Sequence, residues 1–411
     1  MGIKQLSSSL LFRVLVAIIL GVVCSLFFPE WLARIFATFN GLFGNFLNFF
    51  VPVLIFALIT PAIAGLGRGA GKWLGITTGI AYISTIISGF IAYGLSVWLY
   101  PILLKGQDLV AAVDIEKGAI SPYFTVEMPA PFEVMSALLL AFAVGLAMTV
   151  VKSDTLYEAA QDLQRVVMKV IESFIIPLLP VFIYGMFLTL GMNGNLTHTL
   201  VTFAKVLILA TVMTVLYVIA QYLLAGAVVG TNPFRALKNM LPAYATALGT
   251  SSSAATIPVT YQCARKNGVE ANVAGFVIPL CATIHLAGSM MKIGLFAYSI
   301  LYMTGTHLSP ALAVGFILML GITMIAAPGV PGGAIMAAVG LLQSMLGFDA
   351  DQVALMIAAY IAIDSFGTAA NVTGDGAIAL LVNRFAKDQL PTTAGSSEAE
   401  VEENPQRENA K

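Results

Sequence analysis

The chain has 411 residues, 59% of them hydrophobic and only 10% charged, with a formal net charge of −1. Soluble domains carry roughly 25% charged residues, so this composition excludes an ordinary soluble protein and indicates an integral membrane protein in a lipid bilayer. No basic patch points to a nucleic-acid partner, and Cys24, Cys263 and Cys281 lie in or beside apolar segments without paired or metal-type spacing.

At the start, Lys4 and Arg13 lead into an apolar stretch that resembles a signal peptide in charge alone. It has no small-residue cleavage site before the next span, so it reads as a first membrane helix. Apolar runs near the ~20 residues that a bilayer requires follow at 10–28, 41–65, 74–104, 134–151, 167–192, 199–230, 271–304 and 352–386. The loop 105–132 mixes Lys105 and Lys117 with Asp108, Asp114, Glu116 and Glu127, ahead of Glu133, as suits an external loop. Segments 239–268 and 309–347 are apolar but interrupted, with arms mostly too short to cross. They read as re-entrant hairpins, which need protein or a water-filled cavity to satisfy their backbone.

Positive charges occupy alternate loops: Lys4 and Arg13; Arg68 and Lys72; Lys152, Arg165 and Lys169; Arg235 and Lys238; Arg265 and Lys266; Arg384 and Lys387. This pattern predicts that both termini are cytoplasmic. The tail 388–411, with Glu398, Glu400, Glu402 and Glu403, reads as disordered cytoplasmic chain.

A repeat organises the second half. Hairpin 239–268 precedes a span with a predicted break at 283–289, and hairpin 309–347 precedes a span with a predicted break at Asn371-Val372-Thr373-Gly374-Asp375. One hairpin enters from each side in this reading, so the two units are inverted. Interrupted segments at matching places in inverted halves point to the midplane binding site of a secondary transporter.

The residues that carry chemistry fall in these segments. Asp364, Thr368, Asn371 and Asp375 form one polar stripe at helical spacing, and carboxylates at membrane depth mark a functional site. The first tip, Gly249-Thr250-Ser251-Ser252-Ser253-Ala254-Ala255-Thr256-Ile257-Pro258, keeps side chains small and leaves backbone groups free for a ligand. The second, Ala326-Ala327-Pro328-Gly329-Val330-Pro331-Gly332-Gly333-Ala334, stops both helical arms with prolines and allows close backbone approach through its glycines, as a gate requires. An ordinary serine-rich loop and a simple helix breaker are the plainer readings of the two tips.

The tips, the 371–375 run, and the order of spans over residues 10–386 resemble the dicarboxylate/amino acid:cation symporter family, which includes the glutamate transporters. The resemblance implies an all-α integral membrane protein with eight transmembrane helices plus two re-entrant helical hairpins, inverted repeats and an elevator-type mechanism in a homotrimer. Residues 1–238 are then mainly scaffold and trimerisation spans 1–6, with span 3 moving with the transport domain. Residues 239–387 are the transport core of hairpin 1, span 7, hairpin 2 and span 8.

Carried over residue by residue, the resemblance assigns Asp364 to a substrate ammonium and Thr368 and Asn371 to its α-carboxylate. Ser251, Ser253 and Val330 match positions offering backbone contacts, and Ser289 a hydroxyl near the substrate side chain. Asn371 and Asp375 match sodium ligands, completed by the carbonyl of Cys281. Hard oxygen ligands of this kind suit a small alkali cation. No organic cofactor is implied.

Departures from the family pattern narrow the reading. Acidic-substrate members have an arginine where this chain has Gly367, so a bidentate partner for a side-chain carboxylate is missing and neutral amino acids rise in rank. The first tip with Ala287-Gly288 is similar to the bacterial serine/threonine:sodium symporter branch, although His285-Leu286 replaces that branch's Asn-Met. Glutamate-type members are acidic where this chain has Ala287, so a third sodium site is expected to be absent, leaving Tyr82 and Thr85 as packing residues. His285 is expected to supply a cation ligand, a proton-coupling group or a purely structural imidazole. Lys292, seven residues on and expected on nearly the same helix face, either substitutes for a cation or snorkels to a membrane surface.

These features predict a symporter that imports a small neutral amino acid with sodium across the cell (inner) membrane by alternating access. The alternatives are a proton-coupled amino-acid (cystine, for example) or dicarboxylate symporter and, in another class, an anion channel. An enzyme is disfavoured, because His198, His285 and His307 form no catalytic constellation with the remaining polar residues.

Overall fold

The computed structural model describes residues 10–66, 72–105, 120–151, 153–192 and 196–386, and every regular element among them is helical. Lys4, Arg68, Asp108, Asp114, Glu116, Lys117, Lys152, Lys387 and the tail 388–411 lie outside the described residues.

The first half contains α1 (Leu10–Cys24), α2 (Glu30–Leu66), α3 (Lys72–Leu103), α4 (Val134–Val151), α5 (Asp154–Val170), α6 (Ile176–Met192) and α7 (Leu196–Val229). Two spans run longer than their apolar stretches indicate. The 37 residues of α2 extend about 55 Å, well beyond the ~30 Å hydrocarbon core, because the helix continues through Glu30 and Arg34 ahead of the apolar run. The polar helix α5 begins at Asp154, where the Ser153 side chain accepts from the Leu156 N–H, and passes into α6 through a π turn at Ile171–Ile175. Between α3 and α4 the chain runs along α2: Arg34 Nε donates to the Ser121 carbonyl and Asn45 Nδ2 to that of Val126.

The second half contains the short α8 (Pro233–Asn239) and then two helix pairs, each followed by a broken span. The first pair is α9 (Leu241–Thr250) with α10 (Ser253–Lys266), followed by α11 (Ala271–Ile284) and α12 (Ala287–Met303). The second pair is α13 (Pro310–Ala326) with α14 (Gly333–Leu346), followed by α15 (Ala350–Ala362) and α16 (Asp364–Ala386). Both predicted interruptions in the pairs therefore fall at the predicted tips.

Among the described residues, five stretches are long and apolar enough to cross a membrane, and the bent pair α15–α16 makes a sixth. Their outer faces are apolar as well: Ile83, Ile87, Val97 and Trp98 on α3 and Ile208, Val212, Leu216 and Leu224 on α7 are exposed, which suits lipid rather than water. By contrast, α12 and α16 are buried along nearly their whole length. Helix α16 is the centre of the second half, packed against α7, α9, α10, α11 and α12, while α12 also lies along α3.

The two span breaks differ in how they match expectation. The first lies where predicted, at His285-Leu286 between α11 and α12. The second lies at Ile363, where α15 and α16 meet at 61°, and not at 371–375, which is regular helix. Gly374 is there for proximity: a Cβ on it would lie 2.6 Å from His285 Cε1 and 2.7 Å from Gln221 Oε1.

Candidate functional site

The break at Ile363 makes Asp364 the first residue of α16, so one polar stripe descends that helix through Asp364, Thr368, Asn371 and Asp375, all buried. Two polar clusters form along it, one at each carboxylate.

The upper cluster surrounds Asp364. Its Oδ2 accepts the Gly332 N–H at 2.8 Å, and Gly332 (φ +74°) begins α14 at the second tip. A carboxylate thus faces the N-terminal end of a helix, where exposed N–H groups and the helix dipole favour negative charge. Asp364 Oδ1 lies 3.6 Å from Lys292 Nζ. Thr368 Oγ1 turns back to donate to the Asp364 carbonyl at 3.0 Å. One turn on, Asn371 Oδ1 accepts the Gly288 N–H at 2.8 Å, and its Nδ2 donates to Ser289 Oγ at 3.1 Å. The Tyr360 hydroxyl donates to the same Ser289 oxygen at 2.9 Å.

Close approach of α12 and α16 makes this network possible. A Cβ at Gly288 would sit 2.6 Å from the Gly367 carbonyl oxygen. Gly367 also leaves a notch that the Lys292 side chain fills. Lys292 is fully buried, so the snorkelling alternative is overturned. The shared face expected for Lys292 and His285 is overturned too. The break at 285–286 separates them, and each meets a different carboxylate.

The lower cluster surrounds Asp375. His285, in extended conformation at the break, places Nδ1 2.9 Å from Asp375 Oδ1 and Nε2 3.0 Å from Ser84 Oγ. Gln221 Nε2 donates to Ser84 Oγ at 2.9 Å, and Tyr217 OH donates to the Ser84 carbonyl at 2.6 Å. Asp375 Oδ2 is buried without a hydrogen-bond partner among the described residues. A buried carboxylate oxygen in that condition is costly and suits a small cation as its missing partner. The Cys281 carbonyl accepts the His285 N–H at 2.9 Å, which ends α11 beside this cluster.

The two tips meet above the stripe. Ser252 Oγ donates to the Gly329 carbonyl at 2.9 Å and accepts the Ala255 N–H, capping α10. Ser251 closes α9 in the left-handed region (φ 49°), a conformation uncommon for a residue with a Cβ. Ser253 is buried and Val330 half-buried. The second tip also lines a cavity of about 310 Å³ with Pro61, Gly65, Tyr157 and Thr283.

Sequence reasoning missed Ser84, Gln221, Tyr217 and Tyr360. Gln221, an amide inside an apolar span, was a readable signal. The others became visible only once α3, α7 and α15 were placed. The hydroxyls of Tyr82 and Thr85 donate to the carbonyls of Leu318 and Ala81.

A model of the sodium:dicarboxylate symporter family matches residues 10–385. The serine/threonine transporter SstT of Acinetobacter baumannii (strain AYE) is 28% identical over 382 residues, covering 89% of this chain and 94% of its own. Excitatory amino acid transporter 3 of Mus musculus is 33% identical over 222 residues, covering 53% of this chain and 38% of its own. An excitatory amino acid transporter of Caenorhabditis elegans is 27% identical over 299 residues, covering 71% of this chain and 58% of its own.

Proposed function

Because the chain belongs to the sodium:dicarboxylate symporter family, we propose that it imports a small neutral amino acid coupled to sodium, by alternating access across the cell (inner) membrane. The observation that carries this reading is Asp364, a buried carboxylate bonded directly to the second tip. A substrate ammonium arriving at Asp364 displaces or shares the Gly332 N–H, so occupancy of the site and position of the tip are linked. The substrate carboxylate meets Thr368, Asn371 and backbone donors of Ser251, Ser253 and Val330, with Ser289 beside its side chain. Sodium binds as co-transported substrate at Asp375, whose second oxygen lacks a partner among the described residues, with the Cys281 carbonyl and Asn371.

The tip then closes when ion and substrate are both present, and the occluded protein is the form that crosses. In this reading the protein has eight spans and two re-entrant hairpins, with both termini cytoplasmic. Residues 1–238 are mainly scaffold of a homotrimer, and 239–387 form a core that moves as an elevator together with α3. The similarity to SstT favours serine or threonine as the solute. Two observations support the alternatives. His285 occupies one oxygen of Asp375, which favours a proton as coupling ion. Lys292 places an ammonium beside Gly367, so the missing arginine there does not remove all positive charge, and a dicarboxylate is the alternative solute.

The test is uptake into proteoliposomes loaded with purified protein. Serine, threonine, alanine, cystine, aspartate and succinate are compared under an imposed sodium gradient, a proton gradient or neither. Sodium-driven uptake of a neutral amino acid supports the proposal. Saturable uptake driven only by the proton gradient, or of succinate alone, replaces it with the corresponding alternative. Gradient-independent anion current without uptake would indicate a channel.

A further inference from the structure

Lys292 enters the transport reading above only as support for the dicarboxylate alternative, yet it is among the largest side chains with no exposure to solvent. Burying an ammonium at membrane depth is costly, and such a group persists where it is paired. Its surroundings are specific. Nζ donates to the carbonyl of Ile363 at 3.1 Å and to that of Asp364 at 3.4 Å. Asp364 Oδ1 lies at 3.6 Å, and the face of the Tyr360 ring at 4.0 Å from its centroid.

Main-chain carbonyls at the joint between α15 and α16, a carboxylate and an aromatic face together form a receptor for a monovalent cation. The space is equally particular. A Cβ at position 367 would lie 2.2 Å from Lys292 Cε and 2.3 Å from Nζ. A lysine at 292 and any side chain at 367 exclude one another in this arrangement.

We propose that the joint between α15 and α16 is a monovalent-cation site that Lys292 fills from within the chain, seated in the notch left by Gly367. The tethered ammonium holds the 61° bend by neutralising the carbonyls and the carboxylate that converge there. The joint then needs no ion from solution. This goes beyond the proposed transport reaction and does not depend on which solute is carried.

Shortening the side chain and supplying the lost ammonium in solution tests the idea. In full-length Lys292→Ala, sodium-driven uptake is expected to fall on the order of tenfold or more, because the carboxylate loses its buried partner. Propylammonium chloride, which matches the deleted group, is expected to restore uptake several-fold and to raise the melting temperature. Tetramethylammonium, bulky and without an N–H, is expected to do neither. Adding Gly367→Ala to Lys292→Ala puts a methyl where the amine must sit, and is expected to abolish the rescue.

Wild-type uptake and melting temperature in Lys292→Ala would overturn the proposal. So would a loss that propylammonium leaves unchanged, or a rescue that survives Gly367→Ala. If Lys292→Ala yields no folded protein, growth and purification in propylammonium are expected to recover it, and failure to do so also counts against the site. Should the wild-type protein itself show no sodium-driven uptake, the transport reading fails, while the melting-temperature response still decides the fate of the cation site.

Discussion

Asp364→Asn isolates charge from shape at the centre of the site. Asparagine keeps the volume, and its amide oxygen can still accept the Gly332 N–H that Asp364 Oδ2 accepts at 2.8 Å. What disappears is the negative charge 3.6 Å from Lys292 Nζ, which leaves a buried ammonium with two carbonyls and an aromatic face. Removing one member of a buried ion pair typically costs about 3–5 kcal/mol. The lower end, about 3 kcal/mol, is expected here, because 3.6 Å is beyond a hydrogen bond and the carbonyls remain.

The assay is a double-mutant cycle with Lys292→Met, read by melting in detergent and by uptake in proteoliposomes. Asp364→Asn is expected to lower the melting temperature by several degrees and to abolish amino-acid uptake. The double variant is expected to regain much of the stability, with a coupling of at least about 1 kcal/mol, and still not to transport. Stability losses that simply add would refute the ion-pair reasoning, and near-normal uptake in Asp364→Asn would refute the ammonium contact.

Gly288→Ala forces a methyl to within 2.6 Å of the Gly367 backbone oxygen. A backbone neighbour cannot swing away, so a loss of about 1–3 kcal/mol and of uptake is expected, read by melting and transport. Asp375→Asn is expected to abolish sodium-induced thermal stabilisation while leaving the helical circular-dichroism spectrum intact. Unchanged stabilisation by sodium would remove Asp375 from the ion site. Ser252→Ala deletes both the α10 cap and the bond to Gly329. It is expected to cost about 1–2 kcal/mol and to make a cysteine placed at Val330 react faster with a water-soluble thiol reagent, and an unchanged rate would show that the tips are held by other contacts.

The parts of this fold that were legible in the sequence are those where local chemistry decides. Prolines and glycines at 328–333 and hydroxyl residues at 250–253 stop helices by themselves, and both pairs appear where those residues predict them. The stripe from Asp364 to Asp375 follows from helical spacing alone. The second break was misplaced because Ala362-Ile363-Asp364 contains no helix breaker. Contacts from distant segments hold it, namely Lys292 Nζ on the Ile363 carbonyl and the Gly332 N–H on Asp364. Gly374, the obvious candidate breaker, serves instead to admit His285 and Gln221. Besides Asp375, the partners of His285 come from α3 and α7, about 200 and 60 residues away in the chain, a juxtaposition that only tertiary packing creates. The polar α5 escaped a search for apolar runs because its continuity with α6 rests on a π turn rather than on composition.

The Ser252 hydroxyl has one hydrogen to give and lone pairs to receive with, and it uses both roles at once: outward to Gly329 and inward to the Ala255 N–H. If the second tip departs as the proposed transport cycle requires, only the outward bond is lost, and the cap on α10 survives. In the proposed transport cycle the first pair thus stays intact while the second comes away. In that proposed cycle, freedom of motion is unequally divided between two helix pairs that look alike, because the shared hydroxyl belongs to only one of them.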